Sequence, residues 1–258
     1  MVFLALRFGL KSGFCTPTNK ILTLAKPLMQ AIVVLVGCEY EENLGLVARA
    51  MKNFGLKKLV LVSPKADKES EKALSRAMHA REILKRAKIF ESLEKALALA
   101  DVSVATTSKT SKSPGCKRKA VSPEFLAEKY SGTKAKIALV FGRESIGLSN
   151  SEIEKCDFVV SIPASKKNPV LNVSHAAAIV FYELFRKKPK KLFYVAGRRT
   201  RIATISVFSE LAESTGKIRD LKAVVNSFKH VVSRSPATEK ELRAIIAVLS
   251  ESLKKIKK

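Results

Sequence analysis

From residue 31 onward, short runs of β-branched and aliphatic residues alternate with longer stretches in which apolar positions recur every three or four residues. Residues 32–36, 58–62, 102–105, 137–141 and 158–162 read as strands, apolar enough for burial on both faces. Between them, 43–54 reads as a helix with Leu46, Val47, Ala50 and Phe54 on one face and Gly55 at its end. Residues 68–87 and 91–100 read as two further helices, and 172–185 as the last of the series, stopped by Arg186-Lys187-Lys188-Pro189. Strands and helices in alternation predict an α/β domain built on a mainly parallel sheet. The pattern then changes. A turn-like basic stretch leads into two amphipathic helices, 203–232 with a break allowed near Gly216, and 238–255. Thr238 and Glu241 form a capping box for the second, whose stripe is Leu242, Ile245, Ile246, Leu249 and Leu253. The expected division is an arm or over-extended start (1–30), an α/β domain (31–188) and a small basic α-helical domain (189–258).

Charge sharpens this picture. The 258 residues carry 48 Lys and Arg against 23 Asp and Glu, a formal charge of +25. Residues 187–258 hold 18 basic and 6 acidic side chains, about half of the excess. So basic a chain meets a polyanion, with nucleic acid first. A hydrophobic fraction of 47% excludes wholesale disorder, and no apolar run reaches the roughly 18 residues that span a bilayer. Cys15, Cys38, Cys116 and Cys156 are scattered without a C-x-x-C, and His79, His175 and His230 fall in separate segments. Reduced thiols in a cytoplasmic protein, with no metal site, are the expectation. Residues 1–30 contain Arg7, Lys11, Lys20 and Lys26 but no acid, the composition of a transit peptide. Met29, just ahead of the first strand, equally suits a true start, with a disordered arm or an over-extended sequence before it.

Four segments break the packing pattern at the carboxyl ends of expected strands, the edge where open α/β sheets bind ligands. The first runs from Gly37 to Ala50 and carries Asn43, placed to cap or begin a helix, and Arg49; alone, Arg49 also reads as a solvated arginine. The second is Thr106-Thr107-Ser108 followed by Lys109, Lys112, Lys117, Arg118 and Lys119, suited to phosphate contact or equally to a solvated loop. In the third, Phe141-Gly142-Arg143-Glu144-Ser145-Ile146-Gly147-Leu148, the glycines have P-loop spacing, but Leu148 stands where the lysine must be, which rejects an ATPase. The fourth is Ile162-Pro163-Ala164, then Asn168-Pro169-Val170-Leu171-Asn172-Val173-Ser174-His175, opening an Ala-rich helix that Asn172 or Ser174 can cap.

In order and spacing together, N-x5-R, F-G-x-E-x-x-G-L and I-P…L-N-x-S-x-A-x-A-I…Y-E resemble the three motifs of the SpoU/TrmH branch of the SPOUT RNA methyltransferases, over residues 31–186. The tail, over about 200–255, is similar to the extension of the TrmJ group of tRNA methyltransferases. The resemblance implies a C-terminal trefoil knot that binds S-adenosylmethionine, a homodimer, and methyl transfer to a ribose 2′-hydroxyl of tRNA, at anticodon-loop nucleotide 32. Ribosomal RNA, another tRNA position, or a non-catalytic RNA-binding factor are the alternatives; DNA and membranes are not expected partners. Carried onto this chain, the cofactor residues are Thr106, Thr107, Ser108, Gly142, Ile162, Pro169, Val170, Leu171 and Asn172. The catalytic set is Arg49, Asn43, Glu144, Ser174 and Asn172, and Lys109, Lys112, Lys117, Arg118, Lys119, Arg198, Arg199 and Arg201 are assigned to RNA. His175 departs from the small or nonpolar residue common in the family and reads as a packing or surface histidine. The acids Glu41 and Glu42 have no charge rationale beside an RNA face.

Overall fold

A computed structural model describes residues 30–108, 120–130, 133–187 and 194–256. The basic loop with Lys109, Lys112, Lys117, Arg118 and Lys119, and everything before Gln30, lie outside the described residues.

Seven strands form one sheet: β1 (Gln30–Val36), β2 (Lys58–Val62), β3 (Lys88–Phe90), β4 (Val102–Thr106), β5 (Ala120–Val121), β6 (Lys136–Phe141) and β7 (Phe158–Val160). Their order is β3-β2-β1-β6-β4-β7-β5, and every neighbouring pair is parallel. Alternate residues of β1 feed two cores. Ala31, Val33 and Leu35 pack against α1 (Glu41–Asn53), α2 (Glu71–Ala77), α3 (Arg81–Lys85), α5 (Pro123–Tyr130) and α7 (Val173–Arg186). Ile32, Val34 and Val36 pack toward α4 (Leu93–Leu97) and α6 (Asn150–Lys155). Helices on both faces are what continuous aliphatic strands require, because neither face of such a sheet can meet water.

The five expected strands are present, and α1 and α7 lie where periodicity put them. Four details differ. The helix expected over 68–87 is broken at Met78, whose φ of +49° no helix accommodates; a 3-10 turn, Met78–Ala80, joins α2 to α3. The span 91–100 holds only five helical residues, preceded by the edge strand β3. Strand β5 and helices α5 and α6 were not anticipated. Asn43 neither caps nor begins α1: Tyr40 is the N-cap, and Glu41 and Glu42 occupy the first turn. That placement also accounts for the two acids, which face the positive end of the helix dipole; Glu42 pairs with Lys72 at 3.9 Å.

The tail is three helices rather than two: α8 (Arg198–Ser214), α9 (Leu221–Arg234) and α10 (Glu239–Ile256). Gly216, with φ of +62°, follows α8 and separates it from α9, and the Thr238–Glu241 capping box opens α10 as expected. The apolar core here is thin, with Ala196, Val232 and Leu242 buried and Phe208 stacked on Phe228 at 3.9 Å between ring centroids. Its centre is instead Arg201, 2% exposed, whose guanidinium donates to the carbonyls of Ala196 (3.1 Å), Val232 (2.6 Å) and Ser235 (2.9 Å). Arg201 therefore has no face left for RNA, which corrects its assignment. Replacing it with leucine would leave buried carbonyls without donors. We expect that variant to lose about 3 kcal/mol, read as a lower urea midpoint for the tail.

The tail also docks on the sheet domain. Tyr130 Oη donates to Ser233 O at 2.8 Å, Lys229 Nζ to Glu154 O at 2.9 Å, and Arg198 lies 3.6 Å from Asp157.

Candidate active site

The parallel register brings the ends of four strands side by side. Ala105 stands opposite Val140, Thr106 opposite Val160, and Leu35 opposite Phe141. Residues leaving β1, β6, β4 and β7 therefore emerge along one edge, where the strand order reverses.

Beyond β6 the chain makes a closed loop. Arg143 N donates to Gly147 O at 3.2 Å and Gly147 N to Arg143 O at 2.9 Å, so residues 144–146 are thrown outward as a knuckle. Gly142 makes this possible, since a Cβ there would lie 2.2 Å from the Gly147 carbonyl carbon. The loop is tied to α6 by a two-pronged pair: Arg143 Nη1 and Nη2 each lie 3.0 Å from an oxygen of Glu152. Burial alone would raise the Glu152 carboxyl, but the Arg143 guanidinium and the Ser149 N–H hold it below its ordinary range. Glu152 thereby completes a capping box with Ser149.

Glu144, half-buried, heads a chain of hydrogen bonds running through all three motifs. Asn43 Nδ2 donates to Glu144 Oε1 at 3.0 Å, and Asn172 Nδ2 donates to Asn43 Oδ1 at 3.0 Å. Asn172 Oδ1 in turn accepts from Ser174 N at 2.8 Å and Ser174 Oγ at 2.7 Å. A carboxylate only accepts, so it sets the orientation of both amides and, through them, of the Ser174 hydroxyl. Having given its proton to Asn172, that hydroxyl keeps only lone pairs to offer a further partner. Asn43 and Ser174 are buried, whereas Asn172, the N-cap of α7, is exposed to a ligand.

Two more residues meet Glu144. Glu39 N donates to Oε2 at 2.9 Å, and Cys38 Sγ lies 3.5 Å from Oε1. Burial, then the facing carboxylate, pushes the Cys38 thiol up to about 12, so it stays protonated. Sequence reasoning passed over both; nothing in the pattern distinguishes them from any strand-end residues.

The structure brings together Asn43, Glu144, Asn172 and Ser174, but not Arg49. Six residues along α1 amount to about 9 Å and about one and two-thirds turns, which leaves the two positions roughly 120° apart, so Arg49 is exposed on a different face from Asn43. It joins no hydrogen bond or ion pair among the described residues. Of the cofactor residues, Gly142, Thr106 to Ser108 and Ile162 leave neighbouring strand ends; Thr106 Oγ1 donates to Val140 O at 3.0 Å, which locks β4 to β6. Pro169 and Val170 are exposed just ahead of Asn172, and Leu171 is half-buried. Arg199 is exposed on α8, Arg198 is drawn to Asp157, and His175 is a surface residue.

The comparisons with known proteins agree with the fold. The family described as SpoU rRNA Methylase matches residues 30–182. The tRNA (cytidine-2′-O-)-methyltransferase TrmJ of Methanocaldococcus jannaschii is 38% identical over 216 residues, 81% of this chain and 94% of that one. An uncharacterized tRNA/rRNA methyltransferase of Haemophilus influenzae is 32% identical over 234 residues, 87% of this chain and 95% of its own. Among solved structures, a probable methylase family protein from Haemophilus influenzae superposes with a TM-score of 0.60 at 29% identity, covering 89% of this chain and 98% of that one. TrmJ from Zymomonas mobilis (Z. mobilis ZM4) shares the fold, with a TM-score of 0.64 at 24% identity over 86% of this chain and 98% of that one. With its three motifs joined at one sheet edge and the match running from β1 into α7, this chain belongs to the SpoU rRNA methylase family of RNA methyltransferases.

Proposed function

We propose that the protein transfers a methyl group from S-adenosylmethionine to a ribose 2′-hydroxyl of tRNA, at anticodon-loop nucleotide 32. The observation that carries this reading is the hydrogen-bonded chain Glu144–Asn43–Asn172–Ser174, a rigid acceptor array at the ligand-binding edge.

The residues present fit the cofactor. An adenosyl group needs apolar walls beside free backbone polar groups; Ile162, Val170 and Leu171 supply the walls, Gly142 a surface without a side chain, and Thr106 to Ser108 hydroxyls. When bound, S-adenosylmethionine supplies an electrophilic sulfonium methyl. The chain's own part is to align the ribose oxygen with it and to manage one proton. Ser174 Oγ, oriented by Asn172, accepts a hydrogen bond from the ribose hydroxyl and so points its oxygen lone pair at the methyl, with the hydroxyl proton released to solvent as the oxygen is methylated. Arg49 grips the adjacent phosphate and stabilises the alkoxide as it develops; a guanidinium is too hard to deprotonate to serve well as the base. Because Arg49 lies round α1 from Asn43, the reading includes a homodimer, in which a second copy can complete the site. It also includes the trefoil knot for the segment ahead of α7 and a cytoplasmic location.

RNA grip falls to the basic segments: Lys109, Lys112, Lys117, Arg118 and Lys119, the exposed Arg199, and Arg198 at the mouth of the tail. Neutralising about 6 phosphates would make log K fall with log salt at a slope near −5. We expect filter-binding titrations with tRNA between low and moderate salt to show that slope, and a flat profile would remove RNA as the partner.

The deciding experiment offers labelled S-adenosylmethionine with unmodified tRNA and, separately, ribosomal RNA, followed by mapping of ribose methylation. Label at an anticodon-loop ribose of tRNA is the expected result. Label confined to ribosomal RNA would support the second reading, which the family's description favours.

A further inference from the structure

We propose that the corner between β1 and α1, Cys38 with Glu39, is a positioning element of the methyl-transfer site, holding the knuckle 143–147 and the plane of the Glu144 carboxylate. This rests on the reading of that site as the methyl-transfer centre.

Three contacts reach the knuckle from this corner, and a fourth braces Glu39. Cys38 Sγ lies 3.5 Å from Glu144 Oε1, and Glu39 N donates to Glu144 Oε2 at 2.9 Å. Ser145 N donates to Glu39 Oε2 at 3.1 Å, and Lys65 Nζ to Glu39 Oε1 at 3.1 Å. The knuckle's own structure is one bridge between Arg143 and Gly147, which leaves Glu144 and Ser145 to be held from outside. With Asn43 as its single partner, the carboxylate could turn about its terminal torsion, which is soft. Donors on both oxygens remove that freedom. The effect passes on, because the plane of Glu144 fixes the Asn43 amide and through it Asn172 and Ser174. Cys38 is 2% exposed, so no water can take the place of its S–H if that donor is lost. The Ser145 hydroxyl, then Lys65 and the Ser145 N–H, hold the Glu39 carboxyl below its ordinary value, keeping it an acceptor for the knuckle at neutral pH. Neither residue belongs to the set expected to hold the ribose or the cofactor, so their role is to position.

The test uses the full chain with three variants. Cys38→Val removes the donor and keeps the position apolar; Cys38→Ser keeps a donor; Glu144→Gln replaces the acceptor. For methyl transfer to unmodified tRNA, kcat of Cys38→Val should fall about ten-fold, the worth of one hydrogen bond, with KM for tRNA within about two-fold. Cys38→Ser should recover most of the loss. Independently of activity, the infrared S–H stretch of Cys38, isolated as the wild-type minus Cys38→Val difference, should lie below that of a free thiol and move upward in Glu144→Gln. Wild-type kcat in Cys38→Val, a serine variant as slow as the valine one, or an S–H band at the free-thiol position would each overturn the proposal. If the wild-type chain methylates no RNA, it is the reading of the reaction that fails, while the infrared arm still decides the contact.

Discussion

Glu144→Ala should reduce single-turnover methyl transfer by about three orders of magnitude while leaving the protein folded. Three donors converge on this carboxylate: Asn43 Nδ2, Glu39 N and Cys38 Sγ. Each hydrogen bond to a charged acceptor is worth about 1.5 kcal/mol or more, so losing all three and the alignment they maintain amounts to about 4 kcal/mol. Much of that falls on orientation, because the amide of Asn43 is then free to flip and present its oxygen where a donor is needed. Glutamine should rescue little. Its NH2 must face either Asn43 Nδ2 or the Glu39 N–H, a donor against a donor, whichever way the amide lies. Calorimetric binding of S-adenosylmethionine should change much less than turnover, since most of the cofactor residues (Thr106 to Ser108, Ile162, and Pro169 to Leu171) lie outside the segment that carries Glu144. A Glu144→Gln variant with wild-type turnover would sink the network as the source of catalysis.

Arg49→Ala should lower kcat by about 100-fold or more with cofactor affinity within about two-fold, the signature of an interaction made to the reacting ribose phosphate rather than to the cofactor. The melting temperature should hold, because Arg49 is exposed and makes no hydrogen bond or ion pair among the described residues. Arg49→Lys should recover only part of the loss, since an ammonium keeps the charge but not the fork that grips phosphate. Were Arg49 the base, its neutral form would be needed and turnover would climb steadily toward alkaline pH. A phosphate grip predicts no such limb from this residue, so the pH profile of kcat separates the two roles. Near-normal turnover in Arg49→Ala would end both.

Much of this architecture was legible before any coordinates. Strands β1, β2, β4, β6 and β7 are aliphatic runs that no surface could tolerate, and their spacing left little besides a parallel sheet. The capping box at Thr238 located α10, and Asn172, one of two caps the sequence offered for α7, is the one used. What escaped were elements too short to show a period: β3 and β5, of three and two residues, exist only as extra rungs on β2 and β7. Helix α6 did carry a signal, Ser149 with Glu152 three residues on, which a search for capping boxes would have found.

For the site, the order and spacing of the motifs, through the family resemblance they carry, singled out Asn43, Glu144, Asn172 and Ser174. That they form one directed chain could not be read along the sequence, since Asn43 and Asn172 are 129 positions apart and meet only through the register of the sheet and the docking of α7 on α1. The same holds in reverse for Arg201, whose charge suggested RNA in sequence and whose burial makes it the polar core of the tail. Composition and periodicity thus determined the alternating elements and the basic charge, and the motif resemblance named the residues proposed to do chemistry. Tertiary structure alone decided which of them touch, because hydrogen-bond direction and burial depend on distances between segments that local pattern does not encode.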